Sequence, residues 1–126
     1  MSGFYDNAPV ISHNFGEIDF ATTKTLAITG PAGKRGEIVE IHNSVTTTFV
    51  GTTTPGAVQV GLSGDLDAYG EVVMGTAEAP TAAGAAVRGK GSAGVPADTA
   101  VLVTCKAGTG GSVAGKGHVT VAIRWF

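Results

Sequence analysis

The sequence predicts an all-β fold: a single antiparallel β-sandwich, jelly-roll-like, of about eight short strands with long glycine-rich loops. A closed barrel is the other arrangement these signals allow. Three observations carry the prediction. Glycine supplies 20 of 126 residues, about twice its usual share, and threonine is abundant, so turn formers and β-branched residues dominate over helix formers. Several short runs alternate apolar and polar residues, the period of a half-buried strand. Proline–glycine punctuation falls between those runs, as in Gly30-Pro31-Ala32-Gly33 and Thr54-Pro55-Gly56, where fixed and positive φ values turn the chain.

With 43% hydrophobic and 14% charged residues, the chain has room for one core and one domain. Residues 1 to 16 hold Phe4, Tyr5, Pro9, His13 and Phe15 without a clean period, which predicts an extended N-terminal arm, the sandwich then occupying residues 17 to 126. Strands are predicted at Glu17–Phe20, Lys24–Thr29, Glu37–Asn43, Thr46–Val50, Ala57–Leu62, Tyr69–Met74, Thr99–Lys106 and Gly117–Trp125. The last is the clearest: Val119, Val121, Ile123 and Trp125 share one face, His118, Thr120, Ala122 and Arg124 the other. Val58, Val60 and Leu62 repeat the pattern, as do Leu26 and Ile28. Residues 75 to 97 are rich in Ala, Gly, Thr and Pro and poor in apolar bulk, so they read as a long exposed loop. The one cysteine, Cys105, follows Val101 and Val103 in phase and is predicted to be a buried small hydrophobe; it excludes a disulfide framework or a cysteine-built zinc cage.

The motifs that suggest chemistry fail on their surroundings. Gly89-Lys90-Gly91-Ser92-Ala93-Gly94 spells the dinucleotide fingerprint, yet no strand precedes it and Val95-Pro96 follows where a helix is needed, so it reads as a loop. The Gly33-Lys34-Arg35 tract lacks the early glycine and the hydroxyl residue of a phosphate loop, and reads as a hairpin turn with two solvated cations. Asp65-Leu66-Asp67-Ala68-Tyr69-Gly70 brings carboxylates together, but Tyr69 and Thr76 stand where calcium ligands belong. A solvated turn is the simpler reading, with a weak metal site at Asp65, Asp67 and Glu71 the open alternative. His13, His42 and His118 show no metal-binding spacing and read as surface or sheet-face histidines. Ser63 misses the nucleophile elbow. No catalytic, cofactor or metal residue is assigned, and the chain reads as a non-enzyme.

Partners are bounded by charge. Eight scattered Lys and Arg against ten Asp and Glu do not form a nucleic-acid footprint. No apolar run reaches the ~18 residues of a membrane span, and Met1–Asn7 has neither the basic nor the apolar part of an export signal.

Two stretches, Ile28–Gly36 leading into Val39-Glu40-Ile41, and Val95–Thr104 leading through a glycine loop into Val119–Trp125, resemble the capsid decoration, or cement, proteins of tailed bacteriophages. The resemblance covers about Ile28 to the C-terminus and lies in turn and strand patterning. It implies a homo-oligomer, dimer or trimer, bound to the major capsid protein on the virion exterior after assembly in the host cytoplasm, bridging neighbouring subunits without catalysis. On that reading the arm and one strand or loop edge make the contacts, with Phe4, Tyr5 and Phe15 as apolar anchors; an arm folded over its own sandwich is the plainer alternative. Two other classes use the same fold. A tail-tube or fibre-tip component would assemble into rings or tubes, and a carbohydrate-binding module would need exposed aromatic rings, whereas Trp125 shares the core phase.

Overall fold

The computed structural model of the chain describes residues 10–74, 77–78, 85–87 and 94–126. Among them are nine strands and no helix: β1 Val10–Asp19, β2 Lys24–Ile28, β3 Gly36–Val50, β4 Ala57–Leu62, β5 Asp65–Val73, β6 Ala77–Glu78, β7 Ala85–Val87, β8 Val101–Lys106 and β9 Ala114–Trp125. They form two antiparallel sheets. The first has the order β1-β9-β3-β6, with β7 also pairing β3, and the second has the order β2-β8-β4-β5. The pairs nest along the chain: β4 with β5 innermost, then β3 with β6 and β7, then β2 with β8, and β1 with β9 outermost. Successive members of the nest alternate between the sheets, so the connection after β2 and the one after β3 each cross from one sheet to the other.

The inner faces supply the core. Ile38, Ile41, Val45, Phe49, Val119, Val121, Ile123 and Trp125 of the first sheet meet Ile28, Val58, Val60, Tyr69, Val72, Val101, Val103 and Cys105 of the second, all buried. Each such aliphatic side chain contributes roughly 1.5–3 kcal/mol of hydrophobic stabilisation. Phe20 and Phe49 close one end, their rings edge to face at 4.8 Å. Cys105 sits as predicted, and burial pushes its thiol up to about 11 despite the opposing charge of Lys24.

Several expectations about the strands need correction. The arm predicted over residues 1–16 gives way to strand from Val10 onward; residues 1–9, with Phe4 and Tyr5, lie outside the described residues. The missing period has a physical cause. A register shift between Asn14 and Glu17 marks a bulge, with Gly16 at φ +73° and its N–H donated to Asn14 Oδ1 at 2.8 Å. The bulge resets the side-chain phase, so Ile11 and His13 lie opposite the inward Ile123 and Val121, whereas Ile18 lies opposite Gly117. The two strands predicted between Glu37 and Val50 are one, because register shifts near Val39, Thr46 and Thr48 bend β3 without ending it. The Asp65–Asp67 turn is the start of β5. The loop predicted over residues 75–97 carries β6 and β7 on β3, and its Val95 is fully buried and bridges Gly36. Residues 89–93 of the dinucleotide-like motif lie outside the described residues.

Candidate partner-binding end

One end of the sandwich gathers parts that are far apart in sequence. Between β2 and β3 the chain turns at Pro31–Lys34, the Lys34 N–H donating to Pro31 C=O at 3.1 Å. Gly33 holds φ +72°, the conformation that the third position of a type II turn requires. This is a crossing between sheets rather than the predicted hairpin, though Lys34 and Arg35 are solvent-exposed as expected. Asp98, itself at φ +58°, accepts the Gly33 N–H on Oδ1 at 2.9 Å. Gly36 and Val95 exchange backbone hydrogen bonds of 3.0 and 2.7 Å, and Arg35 and Phe126 exchange another pair of 2.8 and 2.9 Å. The turn, the segment from 94 to 98 and the last residue are thereby tied together.

Trp125 lies beneath this end. A Cβ on Gly30 would come within 2.5 Å of the indole, and one on Gly36 within 2.8 Å, so the backbone on both sides of the turn rests directly on the ring. The indole N–H donates to His13 Nε2 at 3.4 Å, with the rings edge to face at 6.2 Å. To accept it, His13 must be neutral with its proton on Nδ1. Burial lowers its pKa below the ordinary 6.5, favouring that form. Tyr69 donates its hydroxyl to Gly94 C=O at 3.3 Å, and burial raises its pKa.

β1 begins at the same end: Val10 lies opposite Arg124, which lies opposite Glu37 on β3. Arg124 Nη1 and Glu37 Oε1 are 3.6 Å apart, a partly exposed pair that contributes little stability. Val10 therefore lies at the end that carries the turn, the 94–98 segment and the C-terminal residue.

The sequence-predicted residues are placed as follows. Phe15 is half-buried and packs against the core, so its ring is engaged within its own domain. Asp65 and Asp67 are exposed, while Glu71 accepts the Gln59 side-chain N–H at 2.6 Å. Among the described residues no group of three or more His, Cys, Asp or Glu side chains is placed to hold a metal ion. His42 and His118 fall on the outer face of the first sheet, opposite Thr120 and Ser44, and His13 alone faces inward. The Trp125–His13 contact was not foreseen, since it depends on a strand whose period the bulge conceals.

No family model, curated protein or solved structure matches the chain.

Proposed function

We propose that the protein is a structural binder that decorates the outside of a tailed-phage capsid and stabilises it by bridging neighbouring subunits. The observation that carries this reading is the meeting of two distant stretches. Ile28–Ile41 and Val95–Trp125, whose patterning resembles the decoration proteins, join through Gly33–Asp98, Gly36–Val95 and Arg35–Phe126. They build one pinned end that presents Lys34, Arg35, Pro96 and Ala97 to solvent. A surface fixed by its own hydrogen bonds loses little conformational entropy on docking. The nested strand order supports the finer assignment of a jelly roll, the fold the resemblance implies. The described chain starts at this end with Val10, and Phe4 and Tyr5, which precede it in sequence, are kept as the proposed anchors.

Mechanically, a protein that binds only the assembled shell lowers its free energy by RT ln(1+[L]/Kd) per site, about 2.7 kcal/mol at a hundredfold excess over Kd. Repetition over a lattice turns modest contacts into resistance to heat and pressure. The test is electron cryomicroscopy of undecorated tailed-phage heads incubated with the chain. Regular external density, weakened by Lys34→Glu together with Arg35→Glu and by deletion of residues 2–9, is the expected result. Bare heads after incubation with the folded chain would overturn the proposal.

A further inference from the structure

We infer that the first half of β1 is a strand-addition edge whose occupant is β1 of a second copy of this chain, paired antiparallel about a two-fold axis through Ser12. The argument begins with the edges. A sheet edge carries unpaired backbone N–H and C=O groups, and folded proteins guard such edges with charge, proline, bulges or brevity. β2 is five residues long and opens with Lys24. β5 bears the exposed Asp65 and Asp67 and slips register against β4 near Gly61. β6 and β7 are two and three residues long. On β1 the second half is guarded by the Asn14–Glu17 bulge and by Glu17 and Asp19.

Val10-Ile11-Ser12-His13-Asn14 has none of these guards. It contains no Lys, Arg, Asp, Glu or Pro, pairs on one side with β9, and meets no strand on its other side among the described residues. Val10 and Ile11 are 46% and 41% exposed, although Ile11 lies opposite the fully buried Ile123.

The segment's own chemistry selects the occupant. Paired about Ser12, Val10 faces Asn14 of the other copy, Ile11 faces its His13, and Ser12 faces Ser12, so no like charges oppose one another. The isologous rule, residue i on j and j on i, is met by five neutral residues. The register also ends naturally, because the bulge between Asn14 and Glu17 interrupts the strand directly after Asn14. The product is one continuous sheet across two molecules, with both copies of Ile11 moved toward cover.

This inference does not depend on the capsid reading, because it concerns the isolated chain. Sedimentation velocity over a concentration series should show a monomer–dimer equilibrium. Ser12 is exposed, so substitutions there leave the core untouched. Ser12→Lys alone and Ser12→Glu alone should each weaken the dimer by about fivefold, through like charges directly opposed, and an equimolar mixture of the two should restore it as a heterodimer. Ser12→Cys should give a disulfide-linked dimer on mild oxidation, with the buried Cys105 left out of the bond. A wild-type chain that stays monomeric, a trimer or open ring, or Ser12→Lys and Ser12→Glu forms that self-associate like wild type would each overturn it.

Discussion

Gly117 on β9 is where a single methyl group should be felt most, and its effect should change sign with one neighbour. A Cβ there would lie 2.8 Å from Asn43 Cγ and nearer still to Oδ1. Asn43 is fully buried on β3, its Nδ2 donating to Met74 Sδ at 3.4 Å, while Oδ1 has no conventional hydrogen-bond donor and rests over the Gly117 Cα, a weak C–H contact. Gly117 does not hold a positive φ, so alanine is compatible with the backbone and gains roughly 0.5–1 kcal/mol in a strand interior. Against that, forcing a methyl into an occupied site costs roughly 1–3 kcal/mol. Gly117→Ala should therefore destabilise by about 1–2 kcal/mol. Asn43→Ala removes both the obstacle and a buried carbonyl whose missing donor costs roughly 1–3 kcal/mol. In that background Gly117→Ala should be neutral or stabilising, giving an interaction energy of about 2 kcal/mol between the two sites. Urea unfolding followed by fluorescence of Trp125, the one tryptophan, measures the four corners of the cycle at one protein concentration. Equal losses from Gly117→Ala in both backgrounds would refute the account, since the space beside Gly117 would then not be Asn43's.

Two further outcomes concern the pinned end. His13 has a folded-state pKa lowered by burial, so below 6.5 the unfolded chain takes up a proton that the folded chain resists. Its contribution is complete above 6.5 and is lost as pH falls toward the folded pKa. Stability against pH should decline across that window and His13→Gln should flatten the decline; an NMR midpoint at or above 6.5 would contradict the burial argument. Asp98→Ala should cost about 1–2 kcal/mol, because it loses the Gly33 hydrogen bond and keeps a side chain at positive φ, whereas Asp98→Gly should cost clearly less. Identical urea midpoints for the two variants would show that the backbone conformation contributes nothing.

The fold class was legible because alternation is a local signal. Val119 to Trp125, Val58 to Val60 and Val101 to Cys105 bury the faces their spacing marks, and the inner faces of both sheets follow. What escaped was whatever a non-local contact decides. β1 hid its period behind the bulge at Asn14–Glu17. β3 reads as two strands parted at Ser44 and Val45, because the register shift between Val45 and Thr47 interrupts the alternation there. Val95 seemed part of a loop because one valine among small residues has no period to declare it. The strand partners were beyond reach for the same reason: turn residues mark where the chain reverses without naming the sheet it enters, and the Pro31–Lys34 turn proved to link two sheets. The pinned end illustrates both sides. Its turn chemistry was visible in Gly30–Gly33, but its attachment to Asp98 and Phe126 joins residues that share no local pattern.

The outermost pair of the nest sets a timetable for biogenesis. Trp125 reaches back to His13 across 112 positions, and β9, the strand that lies between β1 and β3, is the last of the nine to be made. At about 5–20 residues per second, a ribosome leaves β1 without its neighbour for roughly 5–20 s. During that interval its apolar residues and both backbone edges are available to chaperones or to other nascent chains. Slower synthesis in the cold lengthens the exposure, so the yield of soluble protein should depend on holdase supply more than on the strength of the finished core.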